Sequence, residues 1–527
     1  MLATLISATL LGLDGRPIRV EVDVAPGLPG FTIVGLADAA LREARERVRG
    51  AIRNAGYAHP ARRITVNLSP AELPKAGASV DLAIAVGMLI GSEQIRVARG
   101  RIALIGELGL GGEVRSVPGL LPMLAALARH GVPRVLVPAE SMAEAALVTA
   151  VEAVPCRTLD EAVGWLQVRR RALRAIPARV ALDDDLSPTG WREPGSHPNG
   201  SAATPEAAPP PDLAEVRGQA EARRALEVAI AGGHGLLLIG PPGGGKTLLA
   251  RTIPGLVPPL GNAEALAATI VASAAGERPI VGLIRQPPFR TPHHTSSYAS
   301  IVGGGPGLSP GEVTRANHGT LFLDELPEFD RDVLEALRQP LEDGHVTIAR
   351  AARSVTFPAA FQFVAAMNPC RCGNTGTATC SCPKGAPERY LNRISGPLRD
   401  RIDIWVWMPA ISAAAIVRGV EPEASAVVAV RIARARAVQL DRSGGRLNAR
   451  VGGHALRQSC RLGPDERARA IALADAERLS GRGTDRLLRV ARTIADLAGA
   501  DRVEEVHLEE AARWRAWATR SSLALAS

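Results

Sequence analysis

Residues 235–247 read GLLLIGPPGGGKT, and this stretch decides the fold of the central part of the chain. A short apolar run, 235–239, leads into a glycine-rich loop, and a helical pattern, 248–252, follows it. The order of strand, G-x-x-x-x-G-K-[ST] loop and helix is typical of a phosphate-binding loop, because backbone N–H groups and the helix N-terminus attract phosphate oxygens. The residues predicted to bind a nucleotide are Gly240, Pro241, Pro242, Gly243, Gly244, Gly245, Lys246 and Thr247.

A second apolar strand, 320–323, ends in two carboxylates, Asp324 and Glu325. Ligands collect at the carboxyl ends of parallel strands, so we expect both side chains to lie beside the phosphate loop. Lys246 is predicted to reach the β- and γ-phosphates, and Thr247 and Asp324 to ligate Mg²⁺. Glu325 is predicted to polarise the attacking water.

Polar groups further along the chain complete the predicted site. Asn368 follows the apolar run 361–366 and either orients the attacking water or starts a turn before proline. Residues 389–403, RYLNRISGPLRDRID, place four arginines before another apolar strand. An arginine in such a place can stabilise charge on the γ-phosphate of a neighbouring subunit, which predicts an oligomer.

The pattern of strands and helices predicts an α/β protein of several domains, as the length of 527 residues also suggests. In the central part, short apolar strands alternate with helices, which predicts a parallel sheet buried on both faces. The preceding part also alternates, with strand-like runs at 18–24, 31–34, 63–68, 102–106 and 134–138, and helical runs at 37–54, 81–90 and 120–130. The predicted domains are 1–182, a Pro-, Gly- and Ser-rich linker at 183–211, a nucleotide-binding domain at 212–410 and a helical domain at 411–527.

The composition is that of a globular and mildly basic protein. Lys and Arg number 62 against 53 Asp and Glu, a net charge of +9, and 46% of the residues are hydrophobic, which excludes a disordered chain. Only three of the cations are lysines, namely Lys75, Lys246 and Lys384. No apolar stretch approaches the roughly 20 residues of a membrane span, and no cation precedes the apolar residues 2–13 as in a signal peptide. A cytoplasmic protein without a membrane partner is expected.

Four of the six cysteines lie close together in the sequence, at Cys370, Cys372, Cys380 and Cys382. Four thiolates suit a structural Zn²⁺, although structural sites usually place two to four residues between paired ligands and here there is one. Free buried thiols are the alternative. Cys156 and Cys460 stand alone and are predicted to be core residues.

The order of these motifs resembles that of AAA+ ATPases, and four segments resemble the magnesium-chelatase-like family of ComM and YifB in particular. These are EVRGQAEARRALEVAIAGGHGLLLIGPPGGGKT at 215–247, PHHTSSYASIVGGG at 292–305, GTLFLDELPEF at 319–329 and RYLNRISGPLRDRIDI at 389–404. The resemblance implies a AAA+ core with a helical C-terminal lid domain, with ATP and Mg²⁺ as cofactors. It also implies that Arg401 is the arginine finger and that Arg482, ahead of a helix predicted at 485–497, is the sensor-2 arginine, with Arg489 as the alternative.

Two further elements of the nucleotide-binding domain are interpreted with this resemblance. Family members carry a hairpin before the strand that ends at Asn368, and residues 344–350 and 353–357 supply two short strands for it. Arg350 and Arg353 near its turn either contact phosphates or stay solvated. The adjacent His293 and His294 would point in opposite directions in an extended chain, so we expect a polar loop facing a pore rather than a shared metal.

The first domain resembles the proteolytic domain of Lon, with a ribosomal S5 domain 2-like fold. LPKAGASV at 73–80 resembles the segment that carries the Lon serine, and GEVRSVPGLLPM at 112–123 resembles the one that carries its lysine. A Ser–Lys dyad needs a neutral amine to take the proton of the serine, yet Leu121 and Met123 stand where lysine is expected. We therefore expect no peptidase activity, with Lys75 and Ser79 as structural or contact residues.

By this resemblance the chain is expected to be an ATP-dependent hexameric motor that acts on DNA. The implied role is branch migration of recombination intermediates in natural transformation, beside other recombination proteins. The chain has seven Phe, six Trp and three Tyr, so few aromatic side chains are present on which the bases of a single strand could stack. DNA binding would therefore rest on salt-sensitive, sequence-independent contacts between Arg and phosphate. The alternatives are a magnesium-chelatase motor subunit, which would not be expected to carry the Lon-like domain, and a nucleotide-gated scaffold, against which Glu325 argues.

Overall fold

The computed structural model describes residues 1–35, 39–73, 75, 77–97, 101–168, 209–277, 279–305, 308–350, 353–375, 380–411 and 422–524. The predicted linker, 183–211, lies outside the described residues except for its last three positions.

The N-terminal region forms a mixed seven-stranded sheet with strand order β3-β4-β2-β1-β5-β8-β9. The β1–β2 and β2–β4 pairs are antiparallel and the other neighbouring pairs are parallel. The seven strands are β1 Leu2–Leu11, β2 Asp14–Ala25, β3 Gly30–Val34, β4 Arg63–Ser69, β5 Ile102–Leu104, β8 Arg134–Pro138 and β9 Glu152–Cys156. A separate antiparallel pair is formed by β6 Glu107–Leu108 and β7 Val114–Arg115. The helices are α1 Ala39–Asn54, α2 Asp81–Gly91, α3 Leu120–Arg129, α4 Met142–Ala145 and α5 Leu159–Val168.

The first strand, β1, was not among the predicted strands. Its residues show no regular alternation of apolar and polar side chains, although β1 lies inside the sheet between β2 and β5. The antiparallel register that pairs Leu2 with Asp23 and Leu11 with Asp14 makes β1 and β2 a long hairpin. Only Ala3 and the three consecutive residues Ser7, Ala8 and Thr9 are buried in β1, so neither its sequence nor its burial shows the regular alternation that marks a strand.

The central region contains a five-stranded sheet of order β11-β14-β17-β10-β18, in which every neighbouring pair is parallel. Its strands are β10 Leu236–Ile239, β11 Phe289–Arg290, β14 Thr320–Leu323, β17 Gln362–Met367 and β18 Ile404–Trp407. Every residue of β10, β14 and β17 is buried, which confirms the prediction of a parallel sheet covered on both faces.

Shorter strands and helices surround this sheet. Two antiparallel pairs are β12 Gly303–Gly304 with β13 Ser309–Pro310 and the hairpin β15 His345–Arg350 with β16 Arg353–Pro358. The helices are α6 Ala220–Gly232, α7 Lys246–Arg251, α8 Asn262–Ala274, α9 Tyr298–Val302, α10 Glu312–Arg315, α11 Arg331–Ala336, α12 Arg338–Asp343, α13 Ala386–Leu391 and α14 Gly396–Arg399.

From residue 422 onward the described regular elements are helical. They are α15 Ser425–Arg442, α16 Gly453–Cys460, α17 Pro464–Ala476, α18 Gly481–Ala498 and α19 Glu505–Ala524, with one short 3-10 turn at Asn448–Arg450. Ile494 and Trp514 share one buried cluster with Leu226 of α6 and Val406 of β18. The C-terminal helices therefore pack directly against the central sheet and its first helix.

The N-terminal region contacts the central region at two places. Ser273 at the end of α8 donates its hydroxyl to Glu144 at 2.5 Å, and its carbonyl accepts from the amide of Gly119 at 2.8 Å. The turn between β1 and β2 lies against the β15–β16 hairpin, since a Cβ on Gly12 would approach Val355 Cγ1 to 2.5 Å. Among the described residues, no helix combines the length and hydrophobicity that crossing a membrane requires.

Candidate active site

A cavity of about 380 Å³ lies at the carboxyl end of the central sheet, where β10, β14 and β17 end. Gly243 and Gly245 in the loop after β10 have φ values of 77° and 83°, a left-handed conformation that favours glycine. The lining residues are Pro242, Gly243, Gly244, Gly245, Lys246, Thr247, Leu248, Asp324, Glu325, Met367 and Asn368.

Lys246 begins α7, and its ammonium group bridges the loop and the neighbouring strand. Nζ donates to the carbonyls of Gly240 at 2.7 Å and Pro241 at 2.8 Å, and to Asn368 Oδ1 at 3.1 Å. Burial lowers the pKa of Lys246, while the charges of Asp324 and Glu325 oppose that shift. Gly240 and Pro241 thus hold the lysine through their carbonyls and are not among the residues that line the cavity.

Thr247 and Asp324 meet at the cavity, with the Thr247 hydroxyl donating to Asp324 Oδ2 at 2.6 Å. A hydroxyl and a carboxylate are the hard oxygen donors that Mg²⁺ takes, together with water and phosphate oxygens. Thr247 and Asp324, the predicted ligands, therefore offer a donor set that fits Mg²⁺.

Glu325 follows the strand in an unusual backbone conformation. Its φ of 53° is left-handed, and its amide donates to Asp324 Oδ1 at 2.9 Å. A non-glycine residue in this region costs of order 1–3 kcal/mol, and such residues cluster at functional sites. The side chain is about half exposed and lines the cavity, where a carboxylate can accept a proton from water.

His294 is a residue of this site that the sequence did not predict. Its Nδ1 lies 3.3 Å from Glu325 Oε2, and its ring meets Phe329 edge-on with centroids 6.5 Å apart. The loop of His294 follows β11, which pairs in parallel with β14, so the two loops lie side by side. Only the strand order, which the sequence does not give, could have identified this contact.

The expectation that the two histidines point in opposite directions is wrong. The ring centroids of His293 and His294 are 4.2 Å apart, and the planes are tilted by 32°. The amide of Ser296 donates to the carbonyl of His293, so the chain turns here instead of extending.

Arg401 and Arg482, predicted as the finger and the sensor-2 arginine, do not line the cavity of their own chain. Arg401 donates to the carbonyl of Pro397 at 2.8 Å and to Glu342. Arg482 Nη2 lies 3.7 Å from the other oxygen of Glu342. Lys246 is the one cationic side chain among the described residues that line the cavity.

The helix that carries Arg482 begins earlier than the predicted 485–497. Ser480 caps α18 by accepting from the amide of Gly483, which places Arg482 in the first turn. Arg489, the alternative, donates to the carbonyl of Val451 at 2.6 Å.

A buried polar network joins the strand after Arg401 to the C-terminal helices. Asp403 lies 3.2 Å from His234 and 3.3 Å from Arg486, and Arg515 donates to the carbonyl of Ile402 at 2.8 Å. Burial by itself would raise the pKa of Asp403, but the hydrogen bond from His234 and the charges of Arg486 and Arg515 bring it below the usual value. The network fixes α18 and α19 against the start of β18.

The four clustered cysteines come together in space, since their sulfur atoms all lie within 4.8 Å of one another. Sγ of Cys372 lies 3.3 Å from that of Cys370 and 3.6 Å from that of Cys380, too far for disulfides. Tetrahedral zinc with Zn–S bonds of about 2.3 Å separates its sulfurs by about 3.8 Å, so the donor set fits the metal. Hydrogen bonds from the amides of Asn374 and Ser381 lower the pKa of Cys372 to about 6. Cys156 and Cys460 are buried in cores, as predicted.

The residues singled out in the first domain are buried. The Ser79 hydroxyl donates to the carbonyl of Ala8 at 2.9 Å, and Lys75 donates to the carbonyl of Pro70. Leu121 and Met123 are in the core on α3, and the amide of Leu121 donates to Glu144 Oε1 at 3.1 Å. Ser79 therefore lies inside the N-terminal region, and α3, which carries Leu121 and Met123, contacts α8.

Three family models match the chain. "Magnesium chelatase, subunit ChlI" matches residues 212–416, "Subunit ChlI of Mg-chelatase" matches 20–141, and "Magnesium chelatase, subunit ChlI C-terminal" matches 422–515.

Relatives match over nearly the whole length. An uncharacterized protein of Mycobacterium tuberculosis is 43% identical over 502 residues, 94% of each chain. The uncharacterized protein YifB of Escherichia coli is 39% identical over 511 residues, 96% of this chain and 95% of its own. Competence protein ComM of Haemophilus influenzae is 38% identical over 518 residues, 98% of this chain and 97% of its own. With the phosphate loop, the paired carboxylates and the parallel sheet, these matches confirm that the chain belongs to the magnesium-chelatase-like AAA+ family of ComM and YifB.

Proposed function

We propose that this protein is an ATP-driven motor that acts on DNA, a hexameric branch-migration helicase that promotes recombination during natural transformation. The observation that carries the ATPase part is the convergence of Lys246, Thr247, Asp324, Glu325 and Asn368 on one cavity. Support for the biological role comes from the similarity to a competence protein along 98% of the chain.

Each lining residue has a distinct task in the proposed hydrolysis. The loop amides and Lys246 bind the phosphates, and Thr247 and Asp324 hold the metal ion. When bound, Mg²⁺ neutralises charge on the phosphate oxygens. Glu325 accepts a proton from the attacking water, and Asn368, which receives a hydrogen bond from Lys246, orients that water.

The site is proposed to be completed by a second subunit. A transferring phosphoryl group spreads negative charge over its oxygens, and arginine from a neighbouring subunit commonly stabilises it. In this chain Arg401 and Arg482 lie outside their own cavity, which is the arrangement expected when they serve the nucleotide of a neighbour. A closed ring then gives every cavity its arginines.

DNA binding is proposed to occur at the β15–β16 hairpin. Arg350 pairs with Arg353 at the last rung of the hairpin before its turn. Two arginines in this position suit contacts with phosphates, so the affinity should fall as salt rises. The hairpin also contacts the N-terminal region at Gly12, which would transmit its movement.

The domain organisation is proposed to follow the predicted bounds of 1–182, 183–211, 212–410 and 411–527. Residues 1–182 are assigned a Lon-like fold without peptidase activity. The support is that Ser79 is buried and donates to a backbone carbonyl, while Leu121 and Met123 carry no basic group. Residues 411–527 are assigned as the helical lid.

The cysteine cluster is proposed to bind one structural Zn²⁺ through Cys370, Cys372, Cys380 and Cys382. The metal would staple the loop between Asn368 and Arg401. Purified protein should contain one zinc per chain by elemental analysis, and Cys372→Ser should lose it and unfold at a lower temperature. Wild-type protein without zinc, and with a melting temperature that chelation leaves unchanged, would favour free thiols.

The proposed function is tested by steady-state ATP hydrolysis with and without single-stranded and branched DNA at moderate salt. DNA should stimulate the wild type several-fold, whereas Glu325→Gln should bind ATP and DNA but turn over about 100-fold more slowly. If DNA neither binds nor stimulates, the DNA motor is wrong. The matched models name magnesium chelatase, so a motor that supports Mg²⁺ insertion into a porphyrin is the second candidate. ATP binding without turnover would instead indicate a scaffold.

A further inference from the structure

We propose that Glu342 is a positioning residue that holds Arg401 and Arg482 together as one anion-binding pair for the nucleotide bound by a second copy of this chain. This inference rests on the proposed function, since it needs an ATPase completed between subunits.

The two arginines come from distant parts of the chain and meet only at this carboxylate. Arg401 lies between α14 and β18, and Arg482 lies in the first turn of α18. Glu342 stands near the end of α12 and divides its oxygens between them: Oε2 accepts from Arg401 Nη2, and Oε1 lies 3.7 Å from Arg482 Nη2. The hydrogen bond from Arg401 and its charge lower the pKa of Glu342, as expected for an ionised carboxylate.

The backbones under the two arginines are already fixed by buried contacts. Asp403, two residues after Arg401, is paired at 3.3 Å with Arg486, one turn after Arg482. Arg401 itself also donates to the carbonyl of Pro397 at 2.8 Å. What these contacts leave free is the direction of the long side chains, above all that of Arg482, which is 74% exposed.

Glu342 reduces this freedom and the repulsion between the arginines. An arginine side chain loses part of its rotamer entropy when it binds a phosphate. Two guanidinium groups that approach one another also repel unless an anion lies between them. A carboxylate that contacts both keeps them at the spacing needed for joint binding, so less ordering remains when the phosphate arrives.

The expected ligand is a phosphate of a neighbouring nucleotide. Arginine forks match carboxylate and phosphate oxygens, and Glu342 shows where such an anion fits between them. The cluster is open to solvent on the side of Arg482 and Glu342, whose side chains are 74% and 49% exposed, while Arg401 is 13% exposed. Among the described residues no arginine lines the cavity. The nucleotide phosphate is therefore bound in the cavity of a second copy of the chain, and Arg401 and Arg482 of the first copy supply the positive charge.

The test uses full-length rings and compares Glu342→Gln with Glu335→Gln as a matched control. Glu335 is also partly exposed, and its ion pair at 2.8 Å is with Arg338 and not with Arg401 or Arg482. We expect Glu342→Gln to assemble normally, to keep its affinity for ATP and to lower kcat about 10- to 100-fold, because misplaced groups cost rates of this size. Glu342→Asp should be intermediate and Glu335→Gln unchanged.

Mixed rings distinguish action on a neighbour from action within the subunit. Glu325→Gln subunits have intact arginines and an inactive cavity, whereas Glu342→Gln subunits have the reverse. Mixing them should give more hydrolysis than the two separate rates predict, because some interfaces combine an active cavity with positioned arginines. The absence of such rescue, or loss of assembly in Glu342→Gln while Arg401→Ala assembles, would overturn the inference.

Two further outcomes have separate meanings. Weaker DNA binding by Glu342→Gln and Arg482→Ala, with DNA-independent hydrolysis unchanged, would overturn the inference and identify the cluster as a DNA-phosphate site. If the wild type does not hydrolyse ATP, or Arg401→Ala is as active as the wild type, the proposed function itself is wrong. A wild type that depends on Arg401 but not on Glu342 overturns only the inference.

Discussion

Two of the three lysines of this protein lie in regions that resemble catalytic sites, and their surroundings differ. Lys246 lines a cavity beside Asp324 and Glu325, and its ammonium group donates there to two loop carbonyls and to Asn368. Lys75 is 1% exposed and donates to the carbonyl of Pro70 inside the N-terminal region. A lysine near a serine or a glycine loop indicates chemistry only when it borders a space that a substrate can enter.

Replacing the two lysines should produce the largest contrast between the regions. Lys246→Ala should weaken ATP binding at least about 100-fold, because the cation that faces the phosphates is removed. Lys75→Ala should leave ATP affinity unchanged but lower the free energy of unfolding by about 2–4 kcal/mol, as for other large buried side chains cut to alanine. Fluorescent-nucleotide titration and chemical denaturation measure the two effects. Tight ATP binding by Lys246→Ala would contradict the phosphate-loop assignment.

A smaller effect is expected from His294→Ala, which tests whether His294 positions Glu325 in the ATPase region. The imidazole lies 3.3 Å from Glu325 Oε2, so its loss should leave that carboxylate free to turn away. We expect kcat to fall about 5- to 10-fold with little change in KM, since ground-state nucleotide contacts are unaffected. Steady-state kinetics measure this, with the neighbouring His293→Ala as the control. Equal losses in both variants would point to the loop fold and not to Glu325.

The smallest effect is expected from Ser79→Ala in the N-terminal region. The Ser79 hydroxyl donates to the carbonyl of Ala8 at 2.9 Å, a bond whose loss costs about 1 kcal/mol. The ATPase rate should stay within about 2-fold of the wild type, a change of less than 1 kcal/mol in the activation barrier. Casein digestion should be absent before and after the change. If the wild type digests casein and Ser79→Ala does not, Ser79 is a nucleophile and the N-terminal region has peptidase activity.

Much of the nucleotide site could be predicted because its residues follow strands that leave a local signal. The loop from Gly240 to Thr247, the carboxylates Asp324 and Glu325, and Asn368 each come directly after an apolar run. The carboxyl ends of parallel strands lie at one edge of the sheet, so predicting the strands is nearly enough to predict that these residues lie close together.

The contacts of His294 and Glu342 could not be predicted in the same way. His294 depends on β11 lying next to β14, and Glu342 depends on α12 lying between Arg401 and α18. Both contacts join residues that are far apart in the sequence, and no helical or strand periodicity connects them. The strand β1 was missed for another reason, since its apolar and polar residues do not alternate regularly and its place beside β2 and β5 is set by pairing with distant strands.

The sequence alone determined which chemical groups this protein can bring to a phosphate, because the glycines, the lysine and the carboxylates each follow directly on an apolar run of the chain. It also determined that Leu121 and Met123, neither of which can accept a proton, stand where the resemblance to Lon places a lysine. Only the tertiary structure decided which groups face a cavity, which are buried, and that two arginines 81 positions apart in the numbering share one carboxylate. Those relations depend on packing between distant elements, for which the free energy comes from the folded core and not from any single segment.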